Sequence, residues 1–573
     1  MTRLMVIGAA GLDWPSFSGR SAQRLADLRA RGVAGWVRAP EPLSGPAPWV
    51  TMVTGAPPER HGAWRYDEAW AGGVRRISRA SWRTPAVWEQ LSAAGVSTAS
   101  VAWPAARRGA DWPGAHVDRD FAEANGKEAA AWALPRHCAP ADLRAALRGL
   151  RVHPTQITGE MLAPLVPTLG RLDQSRDAKL PTLAVAMAQA ATVQAAAAHL
   201  ITEQRPDALF VHHAWLGEVL ATFEAESEGP FAQVVDGAWR FFDGLVGALA
   251  DLAGPDALVM VASPGWRGRT GALVAAGPTV AAGASFAGAD LAQIAPTVLA
   301  AFGLEDASLV RPIANLVPQG ARAPAPAVRL ATPAAPDRDL MQDAAVAGYA
   351  APPQATAAWR AQGLADLALA LLSRDPQAAK AAAQAALDCD ADFVAALAVK
   401  AMALVALEEA EPLPALARSL TRLAPRRGWG ALAHAAYHAL QGDPAEAGRW
   451  LAKAEADPDA QVQARVAAVW FAAGRPAEAE RVFRGLLDRE PGNAAAAVGL
   501  GMAAASRRDF RAAEDALLRA LKIDPGRPAV YLQLAYVYAR TARRPEAREA
   551  AQRAVALGAS QAQSDAALQG RLG

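Results

Sequence analysis

The chain is poor in cysteine, in lysine and in net charge. Its 573 residues include two cysteines, Cys138 and Cys389, and six lysines. Two widely separated cysteines give neither a disulfide framework nor the paired spacing of a zinc site, which suits a reducing compartment. The formal net charge of +2 gives no overall bias towards nucleic acid or an anionic membrane. These shortages predict a cytoplasmic protein that does not bind nucleic acid.

Long apolar runs are also missing, although 52% of the residues are hydrophobic. The Ala-rich run 183–201 comes nearest to a membrane span, but Gln189, Gln194 and His199 interrupt it. We therefore expect a core or surface helix there and no membrane span. The first residues have too short an apolar run for a signal peptide, and Leu4–Gly8 is predicted to be a buried strand.

A Pro/Ala-rich segment, residues 319–350, divides the chain. Its shortage of large apolar side chains is typical of a semi-rigid linker. Before it, over residues 1–318, short β-type runs alternate with helical patterns. After it, over residues 351–565, the pattern is helical throughout. The sequence therefore predicts two structured regions of different class, which the chain length accommodates.

Continuous apolar strands between amphipathic helices characterise the first region. This pattern is typical of a mostly parallel sheet covered by helices on both faces, a doubly wound α/β fold. The predicted strands are Leu4–Gly8, Thr98–Trp103, Ala208–His212, Ala257–Ala262 and Ala272–Ala276. The predicted helices span residues 20–31, 84–94, 184–204, 232–252 and 289–302.

The second region repeats with a period near 34 residues. Pro458, Pro491 and Pro525 fall 33 and 34 residues apart, and each closes a predicted helical hairpin. This pattern resembles tetratricopeptide repeats (TPRs), in which a small residue such as Gly501 lies at the close crossing of the two helices. The resemblance implies an all-α superhelix of about six hairpins. Their predicted bounds are 357–391, 392–426, 427–459, 460–493, 494–527 and 528–561.

Three motifs follow one another in the first region. They are Pro48–Gly55 with Pro58–Gly62, then Pro85–Leu91 with a strand ending at Trp103-Pro104, and finally Gly277-Pro278 with Ile294–Leu299. In this order they resemble the alkaline phosphatase superfamily, close to its type I phosphodiesterase and nucleotide pyrophosphatase branch. The resemblance implies two metal ions, usually zinc, at the carboxyl ends of the strands, and a Thr or Ser nucleophile.

The positions at which that family has metal ligands carry other residue types here. The family's Gly-x-Asp-Gly has Ala10 in place of the Asp, and its Ser-Asp-His-Gly has Ser263 and Pro264 in place of Asp and His. Thr270 stands near the last family His, and no Asp-x-x-x-His pair follows the strand that ends at His212. The resemblance therefore implies a domain that lacks its dinuclear metal site.

Four other residues leave alternatives open. Ser44 lies beside the position of the family nucleophile and is a weak catalytic candidate, or it is a plain turn residue. Asp13 is expected to cap a helix. His212 and His213 are adjacent on a strand, so their side chains point to opposite faces and cannot easily share one metal. These assignments predict no metal and no cofactor.

Two functions from different classes follow. The first is a pseudoenzyme, a catalytically inactive phosphodiesterase-like domain joined to a TPR array that acts as a scaffold or adaptor in a bacterial-type protein complex. The alternative is an atypical phosphodiesterase or phosphatase with a rebuilt active site, which would need zinc or manganese if it kept the family's chemistry. Metal content of the purified protein discriminates between them.

The TPR resemblance also implies a partner. The first helix of each hairpin would line a groove for a protein or peptide, and its apolar lining suits an amphipathic helix or an extended apolar peptide. Some of these positions could instead be buried inside the hairpins. The groove candidates are Phe471, Val498, Met502, Leu532 and Tyr536, with Gln461, Ala464 and Ala468. The arginines on the outer face, including Arg507 and Arg508, form either a solvated basic face or a site for an acidic partner.

Overall fold

A computed structural model describes most of the chain. The described residues are 2–19, 22–39, 45–70, 73–106, 114–123, 138–172, 179–267, 269–283, 288–318, 320–328, 353–372, 375–557 and 559–571. Ser44 and most of the predicted linker lie outside them. The chain separates into two compact units: residues 1–67, 76–266 and 270–340 form the first, and residues 341–573 with two short segments, 68–75 and 267–269, form the second.

The first unit is built on a mixed, mostly parallel sheet. Its strands are β1 (Leu4–Ala9), β2 (Val33–Arg38), β5 (Thr98–Val101), β6 (Ala115–Val117), β7 (Cys138–Ala139), β8 (Ala208–His213), β9 (Leu258–Ala262), β10 (Gly265–Trp266), β11 (Arg269–Ala276) and β12 (Ala289–Asp290). The order across the sheet is β12-β2-β11-β9-β1-β8-β5-β6-β7, with β10 paired to β11. Two short pairs stand apart: β3 (Asp67–Trp70) with β4 (Gly73–Arg76), and β13 (Leu304–Glu305) with β14 (Ala323–Pro324).

Helices cover both faces of this sheet. They are α1 (Trp14–Gly19), α2 (Gln23–Arg31), α3 (Ala47–Thr54), α4 (Pro58–His61), α5 (Val87–Ala93), α6 (Ala141–Leu147), α7 (Gly159–Leu162), α8 (Lys179–His199), α9 (Trp215–Phe223), α10 (Val234–Ala253) and α11 (Ile294–Ala301). One apolar core lies under α2, α8, α9 and α10, and the other under α3, α5 and α11. Because β1, β8 and β9 are buried on both faces, their sequences are continuously apolar instead of alternating. The predicted α/β fold class is confirmed.

The central strands pair in parallel, as predicted, but the neighbouring strand β11 is antiparallel. β1 pairs in parallel with β8 and β9, and β5 pairs in parallel with β8 and β6. β11 is antiparallel to both β9 and β2. It follows β9 after a short turn, which leaves no room for a crossover helix.

Helix α8 contains the Ala-rich run. Together with the following turn, Lys179–Gln204, it is the helix among the described residues whose length and composition would suffice to cross a membrane. In its most apolar window 56% of the residues are buried, and Leu183, Ala196 and Ala197 lie in the core of the first unit. The helix thus serves the packing of this unit.

The second unit consists of helical hairpins over its described residues. The helices are α12 (Pro353–Leu371), α13 (Pro376–Cys389), α14 (Val394–Ala406), α15 (Leu413–Leu423), α16 (Trp429–Leu440), α17 (Pro444–Ala454), α18 (Ala460–Ala472), α19 (Pro476–Arg489), α20 (Ala494–Ser506), α21 (Phe510–Ile523), α22 (Pro528–Arg540), α23 (Arg544–Ala556) and α24 (Gln561–Leu568). Successive pairs from α12·α13 to α22·α23 pack as hairpins. The first helices of neighbouring hairpins also touch, as α18 touches α20 and α20 touches α22. The predicted helical array is confirmed.

The hairpins close at small residues. A β-carbon placed on Gly501 would lie 2.7 Å from Leu517, on the second helix of the same hairpin. Gly501 is therefore needed at this crossing, as the repeat pattern predicts. Several hairpins begin their second helix with an aspartate cap, and Asp443 and Asp509 each accept a backbone hydrogen bond there.

Candidate functional site

The carboxyl ends of β1, β8 and β9 meet at one edge of the sheet. The register pairs Gly8 with His212 on one side and with Ala262 on the other. By continuation of this register, Ala214 follows its strand level with Ala10, and Ser263 follows its strand level with Ala9. In open α/β sheets ligands bind at this edge, so a catalytic or binding site of the first unit is expected here.

The loop after β1 packs directly on the start of α9. Gly11 has a φ of +84°, and a β-carbon on it would lie 2.6 Å from the backbone nitrogen of Gly217. A β-carbon on Gly217 would in turn lie 3.1 Å from the β-carbon of Ala10. The Ala10 amide donates a hydrogen bond to the His213 carbonyl at 3.0 Å. The loop after β1 is therefore in close backbone contact with the first turn of α9, and Ala10 is partly buried there.

Aromatic rings cover the end of β1 on the α3 side. A β-carbon on Gly8 would lie 3.0 Å from the Trp49 ring and 3.1 Å from the Trp103 ring. The two indoles pack edge to face at 6.2 Å, and the Trp103 Nε1 donates to the Trp49 carbonyl at 3.2 Å. His212 lies 4.4 Å from Trp49, ring centre to ring centre. We name Trp49, Trp103 and His212 the aromatic plug.

The end of β9 is occupied by a tight turn. The Ser263 amide donates to the Ala272 carbonyl at 2.9 Å, and its hydroxyl oxygen accepts from the Gly265 amide at 3.1 Å. A β-carbon on Gly271 would lie 2.0 Å from the Ser263 carbonyl oxygen. Ser263 and Thr270 are buried. The Ser263 hydroxyl is thus engaged in holding the turn.

Asp13 and His61 both have structural partners. The Asp13 carboxylate accepts from the Ser16 amide at 2.9 Å and from the Ser16 hydroxyl at 3.0 Å. The predicted helix cap is confirmed. The His61 Nδ1 accepts from the Ala63 amide at 3.1 Å, so its Nε2 carries the proton and lies 3.0 Å from the Thr51 hydroxyl. Burial lowers the pKa of His61 to about 3, so this ring is neutral.

His212 and His213 point into different cores, as their strand positions predict. His212 packs with the indoles, whereas His213 lies 6.5 Å from the Phe242 ring, on the other face of the sheet. Within the described residues the His212 Nε2 and both ring nitrogens of His213 have no hydrogen-bond partner. Burial lowers the pKa of His213 to about 4. Burial, with repulsion from Arg119 and His213, lowers the pKa of His212 well below its ordinary value.

Sequence reasoning missed a polar cluster beside these histidines. Arg119 follows β6 and approaches Glu218 of α9 and Glu123, each at 3.5 Å. Burial raises the pKa of Tyr66, against the hydrogen bond and charge of Arg119. Burial also raises the pKa of Glu218, against the same guanidinium. Little in the sequence indicated this cluster, because Arg119 lies in a short turn with no motif around it.

No group of three or more His, Cys, Asp and Glu side chains among the described residues is arranged to hold a metal ion. The residues at the strand ends do not fit the dinuclear centre that the family resemblance implies, because Ala10, Ser263 and Pro264 offer no carboxylate or imidazole.

The predicted groove residues differ in exposure. Val498 and Leu532 are 8% and 7% exposed and belong to the core of the array. Phe471, Met502 and Tyr536 are half-buried and pack against that core. A partner could therefore contact the side chains of Phe471, Met502 and Tyr536, whereas little of Val498 and Leu532 is accessible.

Several arginines of the outer face already have partners. Arg507 pairs with Glu480 of the preceding hairpin. Arg543 pairs with Glu514 at 2.9 Å and with Glu546 at 3.0 Å. Exposed pairs of this kind contribute little stability, but they neutralise Arg507 and Arg543 within the basic face.

Comparison with known proteins identifies the two regions separately. Residues 4–264 match the model of the type I phosphodiesterase / nucleotide pyrophosphatase family. The resemblance inferred from the motifs is thereby confirmed for this part of the chain. No curated protein matches the chain.

The solved structures that match include helical repeat proteins. One is the Cut9–Hcn1 hetero-tetramer of the APC/C, with 19% identity over 37% of this chain and 43% of that chain, and a TM-score of 0.29. Another is a tetratricopeptide repeat protein from Parabacteroides merdae, with 15% identity over 40% and 90% and a TM-score of 0.30. A third is YrrB, a TPR protein with an unusual peptide-binding site, with 16% identity over 33% and 97% and a TM-score of 0.25. The chain spans less than half the length of the first of these.

Proposed function

We propose that the first unit is a pseudoenzyme, a phosphodiesterase-like domain without phosphoryl-transfer activity, and that the helical array binds a protein or peptide partner. The whole chain would act as a cytoplasmic scaffold or adaptor that needs no metal or cofactor. The observation that carries the proposal is the set of residues at the carboxyl edge, where Ala10, Ser263 and Pro264 offer no carboxylate or imidazole and indole rings pack over Gly8.

Metal-assisted phosphoryl transfer needs several hard ligands at once. Structural zinc binding is worth about 10–16 kcal/mol and depends on ligand number and geometry. Ala10, Ser263 and Pro264 supply none of these ligands, and the Ser263 hydroxyl oxygen is engaged in a turn. The neutral imidazoles of His212 and His213 face opposite cores. This arrangement supports loss of the metal-dependent reaction.

Metal content and turnover test this part of the proposal. We expect the purified full chain to contain substoichiometric zinc and manganese and to hydrolyse bis-p-nitrophenyl phosphate no faster than a buffer blank. Restoring ligands by Ala10→Asp, Ser263→Asp and Pro264→His together should leave activity absent, because an Asp–His pair after β8 is still missing. The triple variant must be shown to fold by circular dichroism.

Two results would contradict the expected absence of activity, and each would assign a different chemistry to the first unit. Near-stoichiometric metal with chelator-sensitive turnover would establish the atypical metallohydrolase. Turnover that resists chelator but is lost in Arg119→Gln would assign metal-free chemistry to the cluster of Arg119, Tyr66 and Glu218. Either result would overturn the pseudoenzyme assignment.

The binding role of the array predicts which side chains dominate affinity. Buried aromatic anchors carry most of the energy at protein interfaces. Phe471 and Tyr536 are half-buried on the first helices of their hairpins. We expect Phe471→Ala combined with Tyr536→Ala to weaken a partner by about a hundredfold, or roughly 3 kcal/mol. Isothermal titration calorimetry with the partner recovered by affinity chromatography on the full chain measures this.

A charge-reversal variant provides the comparison. Arg507→Glu with Arg508→Glu should mainly alter the association rate and its salt dependence. Thermal unfolding of both double variants checks that the hairpins remain intact. A folded aromatic variant with unchanged affinity would move the recognition surface away from the groove.

A further inference from the structure

Four cationic or titratable side chains gather on three consecutive helices of the array. Arg418 comes from α15, His434 and His438 from α16, and Lys453 from α17. We name these four residues, with Trp450, the α15–α17 patch. The His434 ring stacks on the Trp450 ring at 4.3 Å with an angle of 20° between planes, and the Lys453 Nζ lies 3.9 Å from the centre of the same ring. The indole therefore holds two of the groups in place.

The patch lacks counter-charges, unlike its surroundings. Cations on the same and adjoining hairpins pair with carboxylates: Lys380 with Glu409, Arg422 with Asp392, Arg427 with Asp457, Arg475 with Glu478 and Arg481 with Glu455. Within the part of the chain that the structure describes, Arg418 and Lys453 have no carboxylate within 4.0 Å, and neither histidine makes an ion pair. Among the described neighbours, Lys400 of α14, which donates to Gln384, and Arg426 also lack a carboxylate within 4.0 Å, so the patch is the centre of a small set of unpaired cations between paired ones.

The electrostatics of His434 agree with this geometry. Burial lowers its pKa, and repulsion from His438, Arg418 and Lys453 lowers the pKa further. An anion bound among these side chains would offset their mutual repulsion. An anionic partner would therefore supply the negative charge that the chain itself does not place beside the patch.

We propose that the α15–α17 patch binds an acidic segment of a partner protein. A protein segment is favoured over nucleic acid because the paired arginines on either side end the positive surface within about one hairpin, whereas a polyanion needs an extended track of cations. Trp450 is half-buried, and its free surface offers an apolar contact for side chains between the acidic residues. This surface is independent of the groove residues Phe471 and Tyr536.

The test uses the full chain and a defined probe. Binding of a short, fluorescein-labelled peptide of alternating Glu and Leu residues is followed by fluorescence anisotropy at low and physiological salt. We expect saturable binding that weakens as salt screens the charges. Arg418→Glu with Lys453→Glu should weaken it by at least about tenfold, which is about 1.4 kcal/mol. Both side chains are exposed, so the fold should be kept.

Arg484→Glu is the matched control. Arg484 is exposed on α19, outside the patch, and already pairs with Glu480, so its reversal should change affinity by less than about twofold. Equal peptide affinity in the parent and the Arg418/Lys453 variant would overturn the proposal, and so would an equal loss in Arg484→Glu. A single-stranded oligonucleotide that binds more tightly than the peptide and depends on the same two residues would overturn the choice of partner.

Discussion

The free energy of unfolding of the first unit is expected to fall by at least about 6 kcal/mol as the pH is lowered from 6.5 to about 4, because burial lowers the pKa of His61, His212 and His213. Burial lowers the pKa of His213 from 6.5 to about 4 and that of His61 to about 3. The unfolded chain takes up protons on these imidazoles below pH 6.5, whereas the folded chain does not until the lowered pKa is reached. Stability is therefore complete above pH 6.5 and is lost on acidification, at about 3 kcal/mol for each histidine.

Urea titrations at several pH values, followed by near-ultraviolet circular dichroism, measure this loss. His213→Phe should remove about 3 kcal/mol of the pH-dependent loss, because phenylalanine fills a similar volume beside Phe242 and does not titrate, while His61 and His212 still do. Val211→Ala, on the same strand, should lower stability by a similar amount at every pH. If the pH dependence of His213→Phe equals that of the parent, the buried neutral imidazole is not its source.

Replacing Gly11 by alanine should destabilise the first unit by about 4 kcal/mol. Two costs add at this position. A side chain at a φ of +84° is strained, and its β-carbon would lie 2.6 Å from the Gly217 backbone, which cannot move without shifting α9. The free energy of unfolding from urea titration is again the measurement.

Gly95→Ala separates the two costs. Gly95 has a φ of +81°, and a β-carbon on it would have no neighbour within 4 Å. We expect a loss of about 1 kcal/mol there, from backbone strain alone. If Gly11→Ala cost no more than Gly95→Ala, the loop after β1 would not be wedged against α9, and the space beside Ala10 would be open.

The sequence predicted the central layers of the fold well. Leu4–Ala9, Ala208–His213 and Leu258–Ala262 form the strands that their continuous apolar runs indicate. It did not predict β2 (Val33–Arg38), where a Gly and an Arg dilute the apolar pattern. Prolines and small residues likewise predicted the hairpins of the array. Each repeat needs a small residue where its two helices cross, and a proline ends the hairpin.

The candidate site was predictable only in part. Which residue types stand at the strand ends could be inferred by comparison with the family pattern. That Trp49 and Trp103 would close over Gly8 could not, because this contact depends on the placement of α3 relative to β1 and β5. The sequence left open whether groove positions would be buried inside the hairpins, and the structure places Val498 and Leu532 in the core of the array.

Under the proposed pseudoenzyme assignment, the close packing after β1 would make a return to catalysis steep. A carboxylate at position 10 would lie beside the Gly217 backbone, and on its own it would bind no metal that offset the cost of its charge. The same holds for each ligand restored alone. Natural selection works through single substitutions that must each be tolerated. A domain of this kind would then act as a ratchet, and its lineages would be free to diversify their partners but not to regain a metal-dependent reaction stepwise.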